Sequence, residues 1–385
     1  MNKYLDVFEN SGKEAEEAFE EILALQEGGT DIIRTGIDFL DENLIGGVNN
    51  KMIFIASRPS MGKTHNSSTI QRNLLNNHED VRILRMNLEM PTQSLLLREL
   101  RNSSKRKMKD ILSRPFTEDE MREAKISLNR FKDPRITDFS KPLIGEELKE
   151  LLRAFYISVK EEEEELGKEL KKMVFLDHIH VYVSKNEIDS IIEVFNEVKM
   201  TDKNMSFFIY AQLNRTIEDM WREAKEKKGF QVNMLPSSKY IYMSDKLMQY
   251  ADIVMAITIP QVVDLEEFAS VNRERNQHLS EHFIEDGKEG RYAKLKGLNR
   301  VYYNFIKIRM NDDFDEPRLF CELIDEEKEE FIDKVYKESS ENTLSIAPPP
   351  SFDMTLPLPN TTPSLILDEY SSPSEAFGDD EDIPF

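Results

Sequence analysis

Short apolar runs, each closed by a polar residue and followed by a longer amphipathic or charged stretch, set the rhythm of this chain. Ile53 to Ala56, Val81 to Met86, Met173 to Leu176, Ser206 to Gln212, Tyr250 to Thr258 and Val301 to Arg309 read as strands. They are short, mostly apolar and bounded by polar or turn-forming residues. Between them, Thr64 to Leu75 reads as a helix and residues 92–170 as mostly helical. This alternation predicts an α/β fold around a mostly parallel sheet. Residues 12–26 form a strongly helical stretch, with Ala15, Phe19, Ile22 and Leu23 along one narrow apolar stripe. The stripe packs either on the chain's own core or on a neighbouring subunit, and periodicity does not choose between them. Residues 260–298 read as a long, charged and partly disordered connection. After about Glu338 the composition turns to Pro, Ser, Thr and Asn, which cannot build a core and reads as a disordered tether. The expected units are therefore a helix within 1–29, an ordered domain over 30–338 and a tail over 339–385.

The chain of 385 residues is 39% hydrophobic, enough for a substantial core, and carries a net charge of −22. Bulk charge does not suggest a protein that coats nucleic acid. The charge is uneven, however: acids dominate 11–30, 161–169, 325–338 and the last seven positions, while Lys and Arg gather at 98–109, 215–228 and 291–309. A local basic lining can still hold phosphates. Cys321 is the only cysteine, which leaves no intrachain disulfide and no Cys-based zinc site. No apolar stretch approaches the roughly 18 residues of a membrane span, and no signal-like segment opens the chain.

The candidate chemistry centres on Ser57-Arg58-Pro59-Ser60-Met61-Gly62-Lys63-Thr64, between a predicted strand and a predicted helix. This is the P-loop spacing, with Ser57 in place of the first glycine. Such a loop aims backbone N–H groups at a phosphate on a helix N-terminus, Lys63 supplies a point charge, and the Thr64 hydroxyl can ligate Mg²⁺. The reading is therefore ATP or another nucleoside triphosphate, with Mg²⁺. Glu89, just past the second strand, either orients an attacking water or is simply solvated. Asp177 ends a strand in the manner of a metal-holding acid. His178 and His180 beside it read as structural. Gln212 ends another strand, where it could contact the γ-phosphate. Lys307 and Arg309, two apart at a strand end, suit a phosphate clamp or an exposed edge. The 98–109 cluster reads as a solvated helix face, and 161–172 as a charged, exposed helix with i,i+3 and i,i+4 pairs. Residues 216–245 interleave basic and aromatic residues, as in a mobile nucleic-acid-binding loop or an ordinary surface loop.

These residues resemble, in order and spacing, the ATPase domain of DnaB-type replicative helicases, which has a RecA-like fold. The resemblance runs from about 12 to 325. It rests on Thr35-Gly-Ile-Asp-Phe-Leu-Asp41 with Gly46-Gly47, Arg58-Pro-Ser-Met-Gly-Lys-Thr64, Leu88-Glu-Met-Pro91, Phe175-Leu-Asp177, Gln212-Leu-Asn-Arg215, Ala251-Asp-Ile-Val-Met255 and Lys307-x-Arg309. It implies a homo-hexameric, Mg-ATP-dependent helicase translocating on single-stranded DNA in the cytoplasm of a bacterial cell, cell- or virus-encoded. Lys63 and Thr64 would bind phosphate and Mg²⁺, Asp177 would hold the metal, Glu89 would be the general base and Gln212 would couple γ-phosphate to the DNA loops. Lys307 and Arg309 would reach the neighbouring subunit's site, Arg309 as an arginine finger. The helix within 12–26 would dock on the adjacent protomer. Arg215, Lys239, Tyr242, Ser244 and Lys246 are the candidate DNA contacts.

The sequence departs from that family in three places. No counterpart of the family's N-terminal helical domain is expected before the 12–26 helix, which puts primase contact through it in doubt. Tyr242-Met-Ser-Asp245 stands where the family often has Arg-Glu-Ser-Gly, and 260–298 is longer than the family's connection. The tail resembles instead the acidic tip of bacterial single-stranded-DNA-binding proteins. Asp382-Ile383-Pro384-Phe385 would recruit primase, polymerase or other replication proteins, with Phe385 in an apolar pocket and the acids on a basic rim. Two other functions fit the residues less fully: a RecA-like recombinase or strand-handling ATPase, and a non-unwinding recruitment module acting through the tip.

Overall fold

The computed structural model describes residues 32–44, 47–88, 90, 92–104, 106–181, 184–226, 233–241, 245–284, 292–309 and 318–324, with helical positions 16, 19, 20, 22 and 23. Glu89, Tyr242, Ser244 and the tail with its Asp382–Phe385 tip lie outside the described residues.

An eight-stranded sheet organises the domain. Its strands are β1 (Met52–Ser57), β2 (Val81–Asn87), β3 (Ile136–Phe139), β4 (Lys171–Asp177), β5 (Met205–Gln212), β6 (Ile253–Thr258), β9 (Arg300–Ile308) and β10 (Leu319–Leu323). Their order is β10-β9-β6-β1-β5-β4-β2-β3. β6 to β3 are mutually parallel, while β9 and β10 close one side antiparallel. β1 and β6 are buried at every position, which is why their sequences are continuous apolar runs rather than alternations. The helices are α1 (Asp38–Asn43), α2 (Lys63–Asn77), α3 (Thr92–Ser104), α4 (Met108–Ser113), α5 (Glu118–Phe131), α6 (Gly145–Leu166), α7 (Lys185–Thr201), α8 (Thr216–Glu226) and α9 (Asp245–Tyr250). One core cluster joins α1 and α2 to β1, β5, β6 and β9. Phe39 of α1 stacks on Phe320 at 5.2 Å and meets Tyr303 at 4.5 Å, fastening the short helix to the antiparallel side.

Several expectations are corrected. Residues 92–170 are interrupted by β3, a short edge strand whose Asp138 pairs with Arg85 at 2.6 Å. A further strand, β10, follows β9. The 260–298 connection is largely ordered: β7 (Glu267–Asn272) and β8 (Tyr292–Lys296) form a two-stranded sheet that buries Phe268 and Leu295. Alternation in Glu267-Phe-Ala-Ser-Val-Asn is masked by an irregularity between Phe268 and Ser270, which breaks the period of two. The expected loop at 216–245 begins as α8, and Trp221 is core, 1% exposed, its indole N–H donating to Met234 O at 2.9 Å. In the 161–172 stretch, Glu163 is buried. It and Asp202 flank the fully buried Lys172 at 3.6 and 3.3 Å. Arg106 of the basic cluster is buried too, in a two-point pair with Glu120. Phe19, Ile22 and Leu23 are exposed in the isolated chain.

Candidate functional site

Parallel pairing brings the predicted site residues to one edge. Ser57, last in β1, lies opposite Gln212, last in β5. Asp177, last in β4, lies opposite Tyr210 on β5 and Asn87 on β2. Four adjacent strands thus deliver their carboxyl ends side by side, where open α/β sheets present ligands. The order β1-β5-β4 leaves only β5 between the phosphate loop and the acid.

After β1 the chain turns through Ser60 (φ 65°) and Gly62 (φ 85°), both left-handed. Met61 N–H donates to Arg58 O at 3.3 Å, and Asn66 N–H to Gly62 O at 2.9 Å. Gly62 caps α2 without a side-chain hydrogen bond, and the first turn carries no acid. The leading N–H groups of a fifteen-residue helix are thereby offered to an anion. Ser57 and Met61 are buried, Pro59 and Ser60 exposed, Lys63 and Thr64 half-buried. The Arg58 side chain leaves the loop: its Nε donates to Glu218 of α8 at 2.6 Å and its Nη1 to Leu213 O at 2.8 Å. It ties the loop to the strand end that carries Gln212. The Thr64 hydroxyl and the Asp177 carboxylate are hard oxygen donors on this one edge, a set that suits Mg²⁺.

Three contacts add residues that sequence reasoning did not assign to the site. His180 Nδ1 accepts the Gln212 N–H at 2.8 Å, so the histidine fixes the backbone of that strand end. Arg98 Nη1 donates to Thr64 Oγ1 at 3.4 Å. The Tyr210 hydroxyl donates to Asn66 Oδ1 at 3.1 Å; burial, with the Asp177 charge adding to it, pushes its phenol well above the usual range. Leu88 N–H donates to Asp177 O at 2.9 Å, placing the residue before Glu89 beside Asp177.

The other candidates lie elsewhere. The end of β9 that carries Lys307 and Arg309 pairs with the start of β6, Ile308 opposite Ile253, and β6 in turn pairs with the start of β1. Both cations therefore sit at the amino edge, with β1 between them and the loop. Lys307 Nζ donates to Met248 O and to Ala251 O at 2.7 Å, and Arg309 Nη2 to Gln249 O at 2.5 Å. They cap the end of α9, where its dipole favours cations. Burial, then the Arg309 charge, lowers the Lys307 pKa. Of the DNA candidates, Arg215 and Lys239 come together. Leu213 bridges Ile241, Asn214 N–H donates to Tyr240 O at 2.8 Å, and both cations are exposed. Lys239 Nζ lies 4.7 Å from the centre of the Tyr240 ring. Lys246 pairs with Glu193 of α7 instead.

Comparison with known proteins accords with this geometry. The replicative DNA helicase DnaB of Helicobacter pylori (strain ATCC 700392 / 26695) is 24% identical over 280 residues, 66% of this chain and 54% of that one. That of Buchnera aphidicola subsp. Acyrthosiphon pisum (strain APS) is 26% identical over 248 residues, 62% of this chain and 50% of that one. The chain thus spans about half the length of these relatives. The fold matches a solved ATPase domain with a TM-score of 0.55 at 17% identity, covering 82% of this chain and 94% of that one. It also matches a DnaB-like replicative helicase solved with its interactions with primase, with a TM-score of 0.51 at 17% identity over 77% of this chain and 61% of that one. With a RecA-like sheet carrying the loop, the acid and the glutamine on one edge, and a family match over residues 32–300, the chain belongs to the DnaB-like helicase C-terminal domain family.

Proposed function

We propose that this chain is the motor of a ring-forming replicative DNA helicase, a homo-hexamer coupling ATP hydrolysis to translocation on single-stranded DNA and duplex unwinding. The observation that carries the reading is the division of charge between the two edges of one sheet. Ile53 to Ser57 of β1 alone spans about 13 Å, so Arg309 and Lys307 cannot serve the loop of their own chain. A second copy presenting its amino edge to this carboxyl edge completes the site, which makes the ring the catalytic unit.

In that site the α2 N-terminus and Lys63 hold the triphosphate, with backbone from Ser57 to Thr64 around it. The Thr64 hydroxyl and Asp177 carboxylate would hold Mg²⁺, which supplies charge neutralisation at the phosphates when bound. Glu89 takes the proton of the attacking water. Arg309 of the adjoining copy, with Lys307, neutralises charge developing on the γ-phosphate, an effect that can reach on the order of 10³-fold in rate. Gln212 reads the γ-phosphate and passes its loss through Leu213 and Asn214 to the segment carrying Lys239. Arg215, Lys239, Tyr242, Ser244 and Lys246 form the DNA side. The 1–29 unit docks on the adjacent protomer, consistent with its exposed Phe19, Ile22 and Leu23. Residues 30–338 are the motor. Residues 339–385 tether the Asp382–Phe385 tip for primase, polymerase or other replication proteins, in the cytoplasm of a bacterial cell, the protein being cell- or virus-encoded.

DNA-stimulated ATP hydrolysis together with strand separation is the direct test. Lys63→Ala should abolish both, and full activity in that variant would remove the site assignment. Mixing Lys63→Ala with Arg309→Ala subunits should restore activity that neither has alone, because some interfaces then pair an intact loop with an intact finger. If the mixtures stay inactive while rings form, the shared site is wrong.

A further inference from the structure

The amino edge carries one cation more than its contacts use. Asp252, 7% exposed, is the acid at its centre. Its Oδ2 accepts the Met52 N–H at 2.8 Å and the Lys199 ammonium at 2.6 Å, and its Oδ1 faces Arg309 Nη1 at 3.4 Å. Lys307 is taken up by the carbonyls at the end of α9. Lys51, the residue before β1, lines the same small cavity as Asp252 and Arg309, together with Ile253 and Ile308. Its half-buried ammonium makes no hydrogen bond or ion pair among the described residues. Four cations thus surround one carboxylate whose oxygens are already engaged.

A half-buried ammonium without a partner is costly, and the least costly remedy is an anion. That anion cannot come from inside. The cavity, about 20 Å³, admits roughly one water and no phosphate. Burial lowers the Lys51 pKa, and Lys199 and Arg309 lower it further, with Asp252 alone opposing them. An anion brought to the rim from outside would relieve both the burial and the repulsion. Lys51 stands at one end of β1 and the phosphate loop at the other, so a ring that docks edge to edge sets each Lys51 toward the next copy's loop.

We propose that Lys51 is a third cation of the intersubunit site, joining Arg309 and Lys307 on the triphosphate held by the loop of a second copy of this chain. The proposal rests on the shared-site reading above. Its test uses the full chain with ATP and single-stranded DNA, comparing Lys51→Met, Lys51→Arg and Arg309→Ala. Lys51→Met should lower kcat by about tenfold or more, with ring assembly and melting temperature kept. Lys51→Arg should restore most of the rate. Mixing Lys51→Met with Lys63→Ala subunits should regain activity above either alone. If Lys51→Met hydrolyses ATP like the unaltered chain while Arg309→Ala is crippled, Lys51 has no part in the site and the finger stands. If Arg309→Ala is also fully active, the shared site falls and Lys51 with it. Loss of activity that Lys51→Arg does not rescue, or that tracks lost assembly, makes Lys51 structural and overturns the proposal.

Discussion

At Gly62 the chain needs a left-handed backbone more than it needs space. A Cβ there would meet only Ile259 Cδ1, at 4.0 Å, whereas φ is +85°. Gly62→Ala should therefore fold, lose about 1–2 kcal/mol from the strained φ alone, and bind nucleotide more weakly because the α2 N–H groups are re-aimed. Thermal unfolding and titration with a non-hydrolysable ATP analogue measure the two effects, and unchanged affinity would show that the loop tolerates another conformation. His180 acts through another residue: its Nδ1 holds the Gln212 N–H. His180→Leu leaves that donor without an acceptor, a cost of about 1–3 kcal/mol if it stays dry. DNA stimulation of hydrolysis should fall further than the basal rate, with His180→Gln largely retaining it. An equal fall in both would assign His180 to the fold alone. The places of Lys63, Thr64, Asp177 and Gln212, at a helix start and two strand ends, are legible in the sequence because each follows a short apolar run. Those of His180, Arg98 and Asp252 are not, since their partners are 32 to 200 residues away and any of the three could have been a surface residue.

Elements are readable where apolar residues run together and obscure where the strand is short and largely exposed. β1, β4, β5 and β6 each hold an uninterrupted apolar run of three residues or more, β2 is apolar apart from Arg82 and Arg85, and the sequence places all five within a few residues. β3 has only half-buried or exposed residues, and β10 is partly exposed, so neither stands out from charged surroundings. Helices α5 and α6 likewise hide ion pairs, Glu120 with Arg106 and Glu163 with Lys172. In α5, Glu120 is held by the Arg106 guanidinium and then by the Thr117 N–H, and its pKa is lowered to about 2. The folded pKa thus lies below the ordinary value of 4.5. The pair's contribution is present in full above about 4.5 and is lost as pH falls toward 2. Urea midpoints measured over that range should decline less steeply in Glu120→Gln than in the unaltered chain, and parallel curves would show that Glu120 contributes nothing to acid unfolding. At the start of α7, Ser184 and Glu187 form a reciprocal capping box. Ser184→Ala should cost about 1 kcal/mol in chemical denaturation; a change within error would mean that solvent replaces the cap.

For the whole molecule, the central fact is that one sheet separates the 57–64 loop from Lys307 and Arg309. The motif order along the chain lists Lys63 before Arg309 but cannot place them on opposite edges. That follows from β9 running antiparallel to β6 and ending where β6 begins. If the proposed shared site holds, ring assembly is part of catalysis, and ATP hydrolysis per chain should rise steeply with protein concentration through the assembly range. Sedimentation and activity followed on the same dilution series would test this, and a constant rate per chain in dissociated samples would argue for a complete site within one chain. With an acidic excess of −22, the proposed DNA side depends on local clusters such as Arg215 with Lys239, and their combined replacement by Ala should flatten the salt dependence of DNA binding.

Residue order alone dictated the strand–loop–helix unit around Lys63, the acid and glutamine at their strand ends and the α/β class, because phosphate and metal chemistry constrain residue type locally. The folded chain was needed to show that Trp221 and Arg106 are interior and that 260–298 builds a small sheet. It was needed again to turn Arg58 toward Glu218 and to bring Lys51 into one cavity with Arg309. Each of these depends on which distant segment supplies the other surface, and strand order sets that.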